Sequence, residues 1–288
     1  MSNKLYVTLS FITSVARTTS RLNPTLKFII DLSRPFYRKF LTTIYLISRK
    51  MFPKKDEFNL SSRFCRGLIL EIGALSEPAR FGRKSKVRYA DVHTESSLRD
   101  VLGEIPIPNL YSKKLVKLDF VLSGPKYGLT VIQDESFDAV YSSHVLEHCP
   151  NFLFALKEQI RVTRIGGHIY AVVPNKKFTY DRYRKITSLE RIIERFDKDE
   201  FFFSFSDALE LVTQTVDHPL YAGKGEELAS EILRTNTGMH HFHVFDEKSM
   251  LQILDYVQNA FPVSVKYFSA IDVNMHICME KLRAFNRD

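Results

Sequence analysis

The run Gly67-Leu68-Ile69-Leu70-Glu71-Ile72-Gly73 constrains this chain more than any other stretch. An aliphatic core with one carboxylate, closed by glycines, reads as a strand covered on both faces, and such strands belong to parallel sheets flanked by helices. Short apolar runs alternating with helical ones follow it, the pattern of a parallel sheet with crossover helices.

A second strand is expected over Val87-Arg88-Tyr89-Ala90-Asp91-Val92. Its Asp91 follows Gly73 by roughly 20 residues, the separation at which dinucleotide folds place a carboxylate for ribose hydroxyls. A third, Leu115-Val116-Lys117-Leu118-Asp119-Phe120, ends in another acid, and a fourth, Phe137 to Ser143, leads into His144-Val145-Leu146-Glu147-His148. Asn151 suits the cap of a helix with Leu153, Leu156 and Ile160 on its buried face; Gly166-Gly167 is expected to end it, before a fifth strand from Ile169 to Val173 stopped by Pro174. Ligands of open α/β sheets bind outside the carboxyl ends of the strands, so Gly73, Asp91, Asp119 and His144 are expected to converge.

Taken in order, Leu70-Glu71-Ile72-Gly73-Ala74, Tyr89-Ala90-Asp91, Leu118-Asp119, Phe137-Asp138-Ala139-Val140, Ser143 to His148 and Arg164-Ile165-Gly166-Gly167 resemble the motif set of the class I S-adenosylmethionine-dependent methyltransferases. The resemblance covers about residues 64 to 175. It implies a Rossmann-like α/β fold, with a mostly parallel seven-stranded sheet and helices on both faces, and S-adenosyl-L-methionine as cofactor. It places Glu71, Gly73 and Ala74 at the cofactor's amino-acid end, Asp91 on the ribose, Asp119 near the adenine and His144 beside them. One departure is the loop Gly73-Ala74-Leu75-Ser76-Glu77-Pro78, which lacks a second glycine and so keeps side chains between backbone and ligand. The narrower group that the chain resembles is found in bacterial surface-polysaccharide and glycosyltransferase contexts.

Two later segments match that group: Val173 to Arg184, past the fifth strand, and His240-His241-Phe242-His243-Val244-Phe245, before a helix expected from Ser249 to Val257. Residues 186 to 238 are mostly helical in pattern and are expected to form a lid within a methyltransferase domain of residues 61 to 288. Methyl transfer to a hydroxyl requires alignment and removal of a proton, a task for which histidine is well matched near neutrality. If His241 and His243 alternate on a short strand they point the same way. His241, His243 and Asp181 are therefore the expected catalytic residues, and Arg184, Tyr180 and His148 the expected acceptor-binding ones, with Arg184 able to grip a carboxylate or phosphate. Other readings stay open: His148 as a brace for its loop, Asp181 and Arg184 as a local ion pair, and His241, His243 and Asp181 as metal ligands, although no metal is assigned.

Charge is unevenly spread. The chain has 41 Lys/Arg and 33 Asp/Glu, but residues 1 to 55 hold eleven of the bases against the single acid Asp31, leaving 30 and 32 for the remainder. A catalytic body of −2 argues against a phosphate-tracking surface and hence against nucleic acid as partner. The arm, residues 1 to 60, is expected to contain a basic amphipathic helix: Phe36, Phe40, Ile44 and Ile47 share one side, Arg38, Lys39, Arg49 and Lys50 the other. Such a helix can lie on an anionic membrane, meet a glycosyltransferase, or pack on its own domain. Arg17, Arg21, Lys27, Asp31 and Arg34 interrupt every run long enough to span a bilayer, and Thr8, Ser10, Thr13 and Ser14 dilute the only stretch shaped like a secretory signal. Cys65, Cys149 and Cys278 lie far apart with no C-x-x-C pair, which fits a reducing cytoplasm, with peripheral association at the inner membrane an open extension. The expected function is O-methylation of a sugar in a surface glycan or its lipid-linked precursor; the alternatives are a nucleic-acid methyltransferase and a non-catalytic cofactor-binding module partnering a glycosyltransferase.

Overall fold

The computed structural model describes residues 55–94, 96–97, 114–122, 128–215, 221, 224–235 and 240–285. The basic arm therefore lies outside the described residues, apart from its last few positions.

The sheet follows the expected apolar runs. Strands β1 (Leu68–Ile72), β2 (Lys86–Asp91), β4 (Phe137–Ser143) and β5 (Thr163–Pro174) fall on them, with β3 (Phe120–Val121) at one edge and β6 (Val263–Ile271) and β7 (Asn274–Lys281) at the other. The order is β3-β2-β1-β4-β5-β7-β6. The first five strands are parallel, whereas β7 runs antiparallel between β5 and β6. A dinucleotide-type doubly wound sheet runs 3-2-1-4-5-6 without that inserted strand. Here β6 and β7 form a hairpin, Ile271 pairing with Asn274 across a two-residue turn.

Alternation along the strands divides the core between two faces. On β5, Ile169, Ala171 and Val173 point to one face and meet Leu153, Leu156 and Ile160 of helix α2 (Phe152–Val162), while Tyr170 and Val172 point to the other and meet Tyr141 and Ile69. Each fully buried aliphatic side chain contributes roughly 1.5–3 kcal/mol, so packing on both faces, rather than strand propensity, holds the parallel ladder. Helix α1 (Lys55–Phe64) covers the second face through Leu60 and Phe64, and α6 (Glu247–Ala260) covers the first through Met250, Ile253 and Val257. Three further helices, α3 (Leu189–Asp197), α4 (Phe205–Gln214) and α5 (Glu226–Thr235), lie between β5 and α6 in sequence; α4 and α5 share a core of Ala208, Leu211, Val212, Ala229 and Ile232. Among the described residues no helix is long and apolar enough to cross a membrane.

Local capping agrees with the sequence where side chains dictate it. Asn151 accepts from Phe154 N at 3.0 Å and opens α2, and Asp246 with Ser249 forms a reciprocal capping box that opens α6. Two expectations need correcting. Gly166-Gly167 does not end the helix: α2 stops at Val162, Thr163 turns back to donate to Gln159 O at 2.7 Å, and both glycines lie inside the long β5. A Cβ on Gly167 would sit 2.7 Å from Asp138 O, so this glycine serves close strand approach rather than a turn. The third strand is also shorter and later than expected, so Asp119 precedes β3 instead of ending it.

Candidate functional site

The strand order reverses at β1 and β4, and the loops leaving those two strands touch there. Gly73, just past β1, has φ +74°, and a Cβ on it would lie 2.7 Å from Val145 Cγ2 in the loop after β4. The glycine therefore supplies both a left-handed turn and bare backbone in the crevice. Next to it Leu75 takes φ 51°, a conformation that costs a non-glycine residue about 1 kcal/mol or more, and His144 takes φ 54° at the tip of β4. Such strain gathers where a loop has a task beyond connection.

Around this crevice the expected cofactor residues divide. Glu71 is buried in β1 and accepts from Ala79 N at 2.8 Å, which ties down the loop that holds Ala74. Asp91 ends β2 nearly buried; burial raises its pKa, against hydrogen bonds from the backbone of His93 and Val92. His144 is 40% open, with Nε2 3.0 Å from Asn274 Oδ1 and Nδ1 3.2 Å from Glu147. Asp119 is the exception. Its oxygens bind Arg88 at 2.6 Å and Tyr89 N at 2.9 Å, clamping β2 to the chain entering β3 from a point short of the strand tips. Both its oxygens are thus engaged on β2, the strand next to β1.

The acceptor residues are assembled by the short 3-10 turn Tyr180–Tyr183 and the segment 240–245. Phe242 N and His243 N both donate to Glu147 O, at 2.7 and 2.9 Å, so the chain winds around one carbonyl instead of extending along a neighbour. Hence the segment is not a strand, and the expected alternation fails. His241 turns to Asp181, with Nδ1 2.6 Å from Oδ2, and its ring stacks on Tyr180. His243 turns into the core among Phe152, Phe242 and Phe245 and donates from Nε2 to Pro150 O at 3.1 Å; burial drives its pKa down to about 3. At 1% exposure it has no path to an acceptor, so the catalytic expectation for His243 is corrected to a packing position.

Arg184 is corrected as well. It is 2% exposed and spends its donors on Asp181 Oδ1 and His241 O, both at 2.8 Å, and on Glu210 Oε2 at 3.0 Å. An acceptor phosphate could not displace those partners cheaply, so Arg184 braces Asp181 and the backbone at His241. Burial alone would raise the Asp181 carboxyl, but the hydrogen bond from His241 and the charge of Arg184 hold it below the usual range.

Glu147, which the sequence reading left without a role, proves central. It is fully buried in the 3-10 turn Leu146–His148, directly after β4. Burial works to raise its carboxyl, while the imidazoles of His144, His148 and His241 hold it low. His148, pushed down to about 4 by burial against the pull of Glu147, is neutral near pH 7 and donates from Nδ1 to His240 O at 3.0 Å. One ligand-capable atom from each of Glu147, His148 and His241 lies within 4.8 Å of the others. The spacing Glu147-His148 was visible in the sequence, but its union with His241, 94 positions away in the case of Glu147, was not. The alternative metal set of His241, His243 and Asp181 is not assembled, because His243 faces the core.

Arg182 and Tyr183 of the same 3-10 turn line a cavity of about 590 Å³ together with the cations Lys176, Lys177 and Lys248 and the acids Asp246 and Glu247. One short element thus presents Tyr180 and Asp181 to the histidine cluster and a cation to this hollow.

Residues 112–171, which span β3 to β5, match a family model described as a methyltransferase domain. No curated protein matches the chain. Solved structures with a distant likeness include a SAM-dependent methyltransferase from Methanosarcina mazei, 18% identical over 75% of this chain and 93% of that one at TM-score 0.39. Another, from Aquifex aeolicus, is 14% identical over 82% and 97% at TM-score 0.39. A protein described as a putative zinc-dependent alcohol dehydrogenase from Rhodobacter sphaeroides is 14% identical over 77% and 86% at TM-score 0.44. By its matched segment, the protein contains a methyltransferase domain. The bare backbone at Gly73 beside the Asp91 carboxylate suits a nucleoside with a charged amino-acid tail.

Proposed function

We propose that the protein is an O-methyltransferase whose acceptor is a sugar hydroxyl of a surface glycan or its phosphate-linked precursor. The observation that carries this reading is the group Glu147, His148 and His241, braced by Asp181, with the first two on the loop that also meets Gly73. Imidazoles and carboxylates around a crevice serve to take a proton from a hydroxyl, which a thioether acceptor would not require. S-adenosylmethionine, when bound, supplies the electrophilic methyl group. The chain's own part is to align the acceptor oxygen and promote loss of its proton, and we assign that promotion to the cluster as a unit. Around the cavity Lys177, Arg182 and Lys248 outnumber Asp246 and Glu247, with Lys176 held by Arg184 O, and that excess of cations supports an acceptor that carries phosphate. The basic arm, read from sequence, supports delivery at an anionic membrane or beside a glycosyltransferase, and helices α3 to α5 are suited to close over the acceptor.

In this reading Asp91 and the Glu71–Ala74 loop hold the cofactor, with His144 at its edge. Asp91→Ala is expected to weaken S-adenosylmethionine binding roughly 10- to 100-fold through loss of charge-assisted hydrogen bonds worth about 1.5–3 kcal/mol each. Calorimetric titration measures this, and an unchanged affinity would remove Asp91 from the site.

Incubation with methyl-labelled S-adenosylmethionine and a panel of sugar nucleotides, lipopolysaccharide and tRNA tests the acceptor class. Label is expected in a saccharide fraction. Label confined to tRNA would overturn the reading in favour of nucleic acid, and cofactor binding with no labelled product would favour a non-catalytic module.

A further inference from the structure

Glu147 is 0% exposed, yet neither carboxylate oxygen has a hydrogen-bond partner among the described residues. The nearest imidazole nitrogens are His144 Nδ1 at 3.2 Å and His148 Nε2 at 3.9 Å. A buried carboxylate is tolerated when it is paired, hydrogen-bonded or bound to a metal. The first two are incomplete here.

The two histidines beside it are oriented from behind. His148 Nδ1 faces a carbonyl, His240 O, and His241 Nδ1 faces the carboxylate of Asp181. Both partners can only accept, because Asp181 is held ionised by Arg184, so each Nδ1 carries the proton. That fixes the tautomer and leaves Nε2 of each ring as a lone-pair donor. An imidazole whose second nitrogen is held by a carbonyl or carboxylate is the arrangement found behind metal ligands. Arg184 extends the support by binding both Asp181 Oδ1 and His241 O.

We propose that Glu147, His148 and His241 form a binding site for one divalent ion of the zinc type. Ligand atoms around a tetrahedral zinc lie roughly 3.4 Å apart, given bond lengths of about 2.0–2.2 Å. The present span of 4.8 Å requires the three side chains to close by about 1.4 Å, a movement that χ rotations supply. Two imidazoles and one carboxylate leave a fourth position open, as in catalytic rather than structural sites. His148 and His241 retain 23% and 10% of their side-chain exposure, so the ion has a route in. Resting on the function proposed above, the open position takes the acceptor hydroxyl: the O–H bond breaks, its proton passes to solvent, and the oxygen stays on the ion as an alkoxide.

The test uses the full chain without a polyhistidine tag, stripped with chelator, titrated with Zn²⁺ and freed of excess by gel filtration. Elemental analysis is expected to find one zinc per chain. Glu147→Gln, His148→Gln and His241→Gln should each lower zinc affinity at least tenfold, and Asp181→Asn roughly 10- to 100-fold through loss of the orienting hydrogen bond. S-adenosylmethionine affinity serves as the check that each variant is folded. For any variant that fails it, the wild type loaded with Co²⁺ replaces the comparison: the intense visible bands of four-coordinate cobalt and two paramagnetically shifted imidazole N–H resonances are expected. Zinc that is not retained, zinc retained equally by all variants, or a cobalt spectrum of six-coordinate type would overturn the site. Stoichiometric zinc without saccharide labelling would leave the site standing and refute the acceptor, whereas labelling by a metal-free enzyme would do the reverse.

Discussion

Arg184→Met is expected to lower the unfolding free energy by about 3–5 kcal/mol, the largest loss for a single side chain in the acceptor half. The substitution keeps the apolar stem but removes the charge that faces Asp181 at 2.8 Å and Glu210 at 3.0 Å. Asp181 is only 2% exposed and would be left as a buried carboxylate facing the imidazole of His241. Coulomb attraction between two groups this dry is not what makes the pair stabilising, since desolvation offsets most of it; the loss comes from stranding one charge. The double variant Asp181→Asn/Arg184→Met should therefore be more stable than the sum of the single losses allows, by 1 kcal/mol or more. Urea unfolding of the four proteins measures this cycle. Strict additivity, or a loss below 1 kcal/mol for Arg184→Met, would show that the guanidinium is not the brace described here. Methyl transfer should fall with Arg184→Met even where the protein stays folded, because the same guanidinium holds His241 O and so the approach of the His241 ring.

Much of the sheet was legible because apolar runs and caps are local signals. Leu68 to Ile72 reads as buried on both faces without knowledge of its neighbours, and Asn151 announces a helix through a hydrogen bond only three residues long. The misreadings share a different character. Gly166-Gly167 was taken as punctuation because glycine ends helices, yet here it admits the backbone of β4, a partner 29 residues away in the case of Asp138. His243 was paired with His241 by period two, which holds only if the segment extends along a ladder; the carbonyl of Glu147 accepts two consecutive N–H groups and wraps it instead. Arg184 offered a fork for phosphate in sequence, but the fork was already filled by Glu210 from a helix whose docking no local pattern encodes. Glu147 escaped notice for the same reason. A carboxylate next to His148 on a turn looks like a cap, and only burial without a hydrogen bond marks it out.

Acid is expected to destabilise the protein well before its carboxylates titrate, with His243 the main source. Burial lowers the pKa of His243 to about 3 and that of His148 to about 4, against about 6.5 in the unfolded chain. Between those values the unfolded state binds protons that the folded state refuses, so stability rises with pH in this window and is lost as pH falls below about 6.5. At 1.36 kcal/mol per unit, full loss amounts to roughly 5 kcal/mol for His243 and about 3 kcal/mol for His148, and about half of each is lost by pH 5. Carboxylates held low, such as Asp181, add to the loss only as pH falls through their own lower range. Urea midpoints at pH 7.5, 6.5 and 5.5 should therefore fall only slightly over the first step and clearly over the second in the wild type. His243→Phe, whose ring suits the company of Phe152, Phe242 and Phe245, should flatten that slope while costing about 1 kcal/mol at pH 7.5 for the hydrogen bond lost at Pro150 O. The same variant separates packing from chemistry. A side chain confined to the core should leave methyl transfer at pH 7.5 largely intact, and loss of turnover in a protein that still folds and still binds S-adenosylmethionine would return His243 to the catalytic site.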